Sequence, residues 1–404
     1  MSDYNDPGRR TEGSAIGIFF FPKALAFGII FLEVYGIRGG PEKKERGETV
    51  IDRMKEVLNK EERKVEYIEL IYDLIFVYLV SRNGALLHTV EEGFLTWHIY
   101  LTYLASSLAI LQIWYLSSLY INHYGDGSLR EHLMLFFNMY LLYFMADGIR
   151  ADWGPVYFRY NTAWALILLN MAAQFFRMGH PDCSESACRR HRTRYAVTLL
   201  AEAVFILLSI PVYAGTGIAL APWALVFGVI SLLLTRDVER EMPVDFPHMA
   251  ERVMLYVVFT FGEMILGITG YFDGEFSFNT VYYSLMAFAI VVGLFSCYGH
   301  YYNHLMDPEA KTTGSGYMLL HIVMVLALNN ITAGLEFMRE PAILLVPKTA
   351  FLGVSLLVYF VCLLGTQRYA KFRVEDRRRF YLRCGAEFLV YAAATALCYR
   401  WAMA

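Results

Sequence analysis

The chain has 404 residues, 57% of them hydrophobic, 16% aromatic and only 18% charged. A soluble domain carries about 25% charged residues, so composition excludes an ordinary soluble protein of this length. The formal net charge of −3 averages over a strongly uneven distribution, and no nucleic-acid partner is expected. The apolar residues come in runs of about 20, the length that crosses a bilayer as helix.

Residues 1–64 read as a cytoplasmic N-terminal segment with an apolar stretch at 16–37. That stretch holds Lys23 and Glu33 and has no small-residue cleavage site, so it is not a cleavable signal peptide. It is either an extra membrane-inserted segment or the product of a start upstream of a true start at Met54. Residues 65–404 read as a single transmembrane domain with about eleven spans, near 66–87, 95–121, 131–149, 155–176, 194–213, 217–235, 251–271, 279–300, 316–336, 343–366 and 381–401. The fold class is an all-α polytopic membrane protein. Connections are short, and Pro211 and Pro222 inside spans are tolerated in membrane helices.

Lys and Arg collect on the cytoplasmic side of membrane proteins. With the residues before the first span inside, 25 of the 35 basic residues fall in inside segments and five outside. The expected location is therefore the plasma membrane, with residues before the first span cytoplasmic and the C-terminus outside. There is also a repeat signal. Arg63 and Arg252, His132 and His321, and Arg194 and Arg383 all share an offset of 189 residues. Two parallel five-helix halves, 65–214 and 251–404, would then be joined by a linker helix at 217–235; the alternative is coincidence among common residue types.

The first span, VEYIELIYDLIFVYLVSR, carries Glu66, Glu69 and Asp73 at a spacing that stacks them on one helical face. Asp73 lies near the midplane, where an Asp costs about 2.5–3.5 kcal/mol on insertion scales. It needs a cation, a hydrogen-bonded network or a proton. A structural ion pair with a basic residue on another span is one reading; an ion, proton or substrate site is the other. The seventh span, HMAERVMLYVVFTFGEMILGITG, supplies His248, Glu251, Arg252 and Glu263. Arg252 and Glu263 are eleven residues apart, about 20° in helical phase, so they share a face. Asp73 and Glu263 lie at matched distances from Arg63 and Arg252, which predicts that they sit at similar depth and face one polar interior. Two carboxylates there would not both stay ionised, so one holds a proton or a cation binds. His132, Glu202, His321 and Asn329 add a secondary polar core, each alone reading more readily as a packing hydrogen bond.

These two stretches, ELIYDLIFV (Glu69–Val77) and HMAERVMLYVVFTFGE (His248–Glu263), resemble the bacterial low temperature requirement A family of multi-spanning membrane proteins, over roughly residue 60 to the C-terminus. Ile71 and Ile75 stand where the family typically has Phe and Val, and the acids stay in place. His248, Glu251, Arg252, Gly262 and Glu263 match its second pattern. The resemblance implies a bacterial multi-pass membrane protein and carries no biochemical activity across.

The loop HPDCSESACRRH places His180, Cys183, Cys188 and His191 as H-x2-C-x4-C-x2-H, a tetrahedral ligand set suited to zinc. Its basic character disfavours a cation, so ordinary loop cysteines are the competing reading, with thiols reduced on the cytoplasmic side. No other cofactor is expected. Three function classes follow. A proton- or cation-coupled transporter or channel explains midplane acids and short loops. A membrane-embedded enzyme acting on a lipid-like substrate would use His248 and Glu251 near the inner interface. A sensor or scaffold is the third. The depth of the two anomalous acids favours transport over an enzyme. The partners expected are the lipid bilayer and a small ion or small-molecule substrate, with homodimerisation left open.

Overall fold

The computed structural model describes residues 65–371 and Leu382, apart from positions 92, 149–151, 178–185, 273–276 and 341. Among the described residues the chain is helical, and the extended pairings are two isolated bridges, Glu91–Phe94 and Met306–Ala370. In chain order the helices are α1 Tyr67–Gly84, α2 Trp97–Tyr124, α3 Leu129–Asp147, α4 Tyr157–Arg177, α5 Ser186–Thr216, α6 Ala221–Leu233, the single turn α7 Arg236–Glu239, α8 Phe246–Gly267, α9 Phe278–His300, α10 Ser315–Arg339 and α11 Leu345–Thr366. Short 3-10 turns extend α1, α8 and α11, and a π turn at Tyr301–Leu305 ends α9.

Seven of these, with their extensions, are long and apolar enough to cross a membrane: those built on α1, α2, α5, α8, α9, α10 and α11. Sequence reading expects more. The last expected span, 381–401, falls outside the described residues except for Leu382. The 13 residues of α6 extend only about 20 Å, short of the roughly 30 Å hydrocarbon core. In α3 the opening Arg130, Glu131 and His132 lower the hydropathy, as Asn161, Asn170 and Gln174 do in α4.

The packing inverts the pattern of a soluble bundle. On α1 the buried face holds Glu69, Tyr72, Asp73, Phe76 and Asn83, while Ile71, Leu74 and Tyr78 are exposed. A helix facing lipid has no reason to hide its apolar side chains and strong reason to hide its charges. α2 is the axis of the molecule, buried along most of its length and packed against α1, α4, α6, α8 and α10. α1 packs on α2 and α3, and α3 on α4; likewise α8 packs on α9 and α10, and α10 on α11. Asp73 meets Arg252 and, further along, Ser81 meets Glu263, so α1 and α8 run in the same direction.

The end of α1 is fixed to α2 by one amide. Asn83, fully buried, donates to the Tyr103 carbonyl at 2.9 Å and to Ser107 Oγ at 2.5 Å, and accepts from Ser106 Oγ at 2.8 Å. Asn83→Ala removes all three bonds from a buried site, though Ser106 keeps the Thr102 and Tyr103 carbonyls, and is expected to cost about 1–3 kcal/mol. The check is the melting temperature of purified protein in detergent, which should fall clearly below wild type. An unchanged value would mean that this amide does not hold the two helices.

Candidate functional site

α1 delivers Glu69 and Asp73, four residues apart and therefore on one face. Glu69 lies in the first turn and Arg82 in the last, both favourable with the helix dipole. α8 starts at Asp245, whose carboxylate accepts from the His248 backbone N–H at 3.5 Å, with Pro247 in the first turn. The same i, i+4 spacing brings His248 and Arg252 to the face that meets α1.

Arg252 is the centre of the site. Its Nε donates to Asp73 Oδ2 at 2.9 Å and its Nη2 to Asp73 Oδ1 at 2.8 Å, a bidentate fork. Its Nη1 donates to Glu69 Oε2 at 3.1 Å. The Trp114 indole N–H of α2 donates to Asp73 Oδ1 at 2.9 Å. Asp73 is 0%, Arg252 1%, His248 1% and Glu69 2% exposed, so the network is closed to solvent. Of the two readings open for Asp73 in the sequence, the structure supplies the ion pair, and its partner is Arg252.

His248 completes the cluster, and its tautomer follows from its neighbours. The Asp245 backbone N–H donates to Asn122 Oδ1 at 3.0 Å, which fixes the orientation of the Asn122 amide. Asn122 Nδ2 then donates to the Asp245 carbonyl at 2.9 Å and to His248 Nδ1 at 3.3 Å. With Nδ1 accepting, the ring proton of neutral His248 sits on Nε2. Nε2 lies 3.5 Å from Glu69 Oε2, at ion-pair distance though outside hydrogen-bond geometry. One carboxylate oxygen is thus approached by both the guanidinium and the imidazole.

Polar contacts continue away from the cluster through Tyr72. Its hydroxyl is 3.0 Å from Ser117 Oγ and accepts from Asn138 Nδ2 at 3.4 Å, and Asn138 Oδ1 accepts from Asn170 Nδ2 at 2.8 Å. The Tyr256 ring packs on Trp114 at 4.5 Å between centroids, and its buried hydroxyl has no hydrogen-bond partner among the described residues.

Glu69, Asp73, His248 and Arg252 come together; the other expected site residues do not join them. Glu263 is half-buried and accepts from Ser81 Oγ at 3.0 Å, so it does not share an interior with Asp73. The reason is one of depth. Arg252 itself is level with Asp73, and Glu263 is eleven residues, about 16 Å, further along α8. Glu251 is half-buried beside the cluster's helix face. His132 lies 3.4 Å from Glu66 at the start of α3. His321 donates from Nδ1 to the Tyr317 carbonyl of its own helix at 2.8 Å, and Asn329 donates to the Val325 carbonyl at 2.9 Å, so both serve their helix locally. Glu202 is buried against Gln112. Trp114, Asn122 and Tyr256 escape sequence reasoning, because nothing in an aromatic or amide on a mid-span helix marks it as a neighbour of a distant carboxylate.

The loop ligand set is altered as well. His180 and Cys183 lie outside the described residues. Cys188 is disulfide-bonded, so it offers no thiolate, and the expectation of a reduced thiol at this position is corrected. His191 is buried with Nδ1 2.8 Å from the Tyr124 hydroxyl. Among the described residues no three His, Cys, Asp or Glu side chains are grouped to hold a metal.

Fold and site together define a multi-pass α-helical membrane protein whose polar interior is organised by an intramembrane salt bridge between two parallel helices. The chain matches the family model of the bacterial low temperature requirement A protein (LtrA) over residues 64–404, most of its length. It belongs to that family. Comparison with curated proteins and with solved structures finds no match.

Proposed function

We propose that the chain is a proton- or cation-coupled transporter or channel of the plasma membrane, with Glu69 as its coupling carboxylate. The observation that carries this is the convergence on Glu69 Oε2. Arg252 reaches it at 3.1 Å and His248 Nε2 lies 3.5 Å away, all three groups being buried. Asp73 is committed to Arg252 by the bidentate fork and Trp114. Glu69 shares that guanidinium through a different nitrogen, Nη1. Adding a proton or a cation at Glu69 would therefore release Arg252 and His248 without breaking the Asp73 fork, and so loosen α1 from the start of α8. That is a two-state element biased by an ion, the minimum a coupled carrier needs.

The excess of basic residues in the inside segments supports a cytoplasmic start to α1 and an external C-terminus. Among the described residues, nine helices of 18 residues or more at the expected places support a span count above seven. The like packing of α1–α4 and α8–α11, with α1 parallel to α8, supports a parallel repeat. Complete burial of the cluster argues against a lipid-active enzyme, whose catalytic groups must meet a headgroup.

The test is ion flux in proteoliposomes under imposed proton, sodium and potassium gradients. Wild type should carry an ion-dependent flux, and Glu69→Gln should reduce it at least tenfold while the protein still inserts and keeps its helical circular dichroism. No flux from wild type under any gradient, or full flux from Glu69→Gln, would remove the coupling role.

A further inference from the structure

A second carboxyl lies apart from the Arg252 cluster. Glu202, in the middle of α5, is 0% exposed. Its Oε2 accepts from the Gln112 side-chain amide of α2 at 3.0 Å. Its Oε1 and Gln112 Oε1 have no hydrogen-bond partner among the described residues. α6 covers the pair with Gly228, where a Cβ would collide with the Glu202 carboxyl and the Gln112 amide. Backbone closes over the carboxyl at a point where no side chain fits.

An ionised carboxylate here would have one neutral N–H to hold its charge, inside helices of membrane length. That arrangement is costly. A neutral carboxylic acid suits the site, because a hydroxyl at Oε1 turns one of two surplus acceptors into a donor. Open space also lies about one helical turn from it. A cavity of about 400 Å³ lies between α2, α4 and the start of α6. Its lining runs from exposed His98, near the start of α2, to Ala109, and includes Leu225 of α6. Ala109 and Leu225 are each three residues, one helical turn, from Gln112 and Gly228.

We infer that Glu202 is a proton-binding site separate from the Arg252 cluster, that it holds its proton in this conformation, and that it exchanges it through the cavity beside Ala109 and Leu225. The reading does not depend on Glu69 being a coupling group.

The experiment uses the full chain in detergent and the apolar reagent dicyclohexylcarbodiimide. A protonated carboxyl adds across one C=N bond: its oxygen bonds the central carbon and its proton goes to nitrogen. The acyl group then shifts from oxygen to nitrogen, giving an N-acylurea with no leaving group and no redox change. Peptide mass spectrometry should find one such adduct on Glu202 and none with a water-soluble carbodiimide. Glu202→Gln should abolish it. Ala109→Trp, which fills the cavity, should slow it at least tenfold, and Leu225→Trp serves if that variant does not fold. Infrared spectra should lose a protonated-carboxyl C=O band in Glu202→Gln. No adduct on Glu202, or an adduct rate untouched by filling the cavity, overturns the exchange route. An infrared band unchanged in Glu202→Gln overturns proton binding itself.

Discussion

Arg252→Ala is expected to destabilise the protein by about 3–5 kcal/mol, the cost of leaving a buried carboxylate without its partner. Asp73 is completely buried and draws its bidentate fork from Arg252 alone, with Trp114 as its other donor. One indole N–H cannot hold a full charge in that surrounding. Asp73→Asn should cost less, about 1–3 kcal/mol, because Arg252 keeps Glu69 and Trp114 keeps an acceptor oxygen. In a Glu69→Gln background, which neutralises the other carboxylate that Arg252 holds, the double replacement Asp73→Leu with Arg252→Met removes the remaining two charges and should recover most of the loss, since apolar groups of similar volume commonly match a buried pair. A double-mutant cycle on unfolding free energy in bicelles measures this directly. Additive losses, with no recovery in the double variant, would show that the pair does not join α1 to α8.

The same pair shows what the sequence exposes and what it withholds. The stacking of Glu69 on Asp73 is visible in a four-residue spacing, because helical phase is local. So is the shared face of Arg252 and Glu263: both do turn toward α1, one to Asp73 and the other to Ser81. What could not be read is which residue of α1 each one meets. Matching Asp73 with Glu263 assumed that Arg63 and Arg252 mark equivalent edges of the membrane. Arg252 is instead buried within the helix bundle, held by two acids about 180 residues earlier in the chain. A charge count takes every arginine near a span end to be an interface anchor, and only packing distinguishes the one that is not. Hydropathy locates the helices for a related reason. It reports burial in lipid or protein, which is a property of long windows. It misses the donors Trp114 and Asn122, whose role depends on azimuth on a helix buried on nearly all sides. The disulfide at Cys188 is invisible in the same way, since a cysteine in a polar loop suits a metal, a bridge or neither.

The start of α8 depends on a glycine that touches none of the charged groups, and Gly314→Ala is expected to cost about 2–5 kcal/mol from two separate causes. Gly314 caps α10 at φ +72°, a conformation that costs a residue with a Cβ about 1–2 kcal/mol. A Cβ there would also run into the Met249 sulfur and come within 3.0 Å of Met249 Cε and Val244 Cγ2, overpacking that costs about 1–3 kcal/mol more. Val244 and Met249 flank Asp245 and His248, and the Val244 N–H donates to the Thr312 carbonyl at 3.3 Å. Relief of the collision falls on the Met249 thioether and, through Val244, on the segment whose Asp245 N–H orients Asn122, and with it His248. Gly217 offers the control: its φ is +74° and nothing lies within 4 Å of its would-be Cβ, so Gly217→Ala carries the backbone cost alone. Melting temperatures in detergent should fall for both variants and distinctly further for Gly314→Ala. Equal shifts would mean that Met249 yields freely and that the cap of α10 does not set the position of His248.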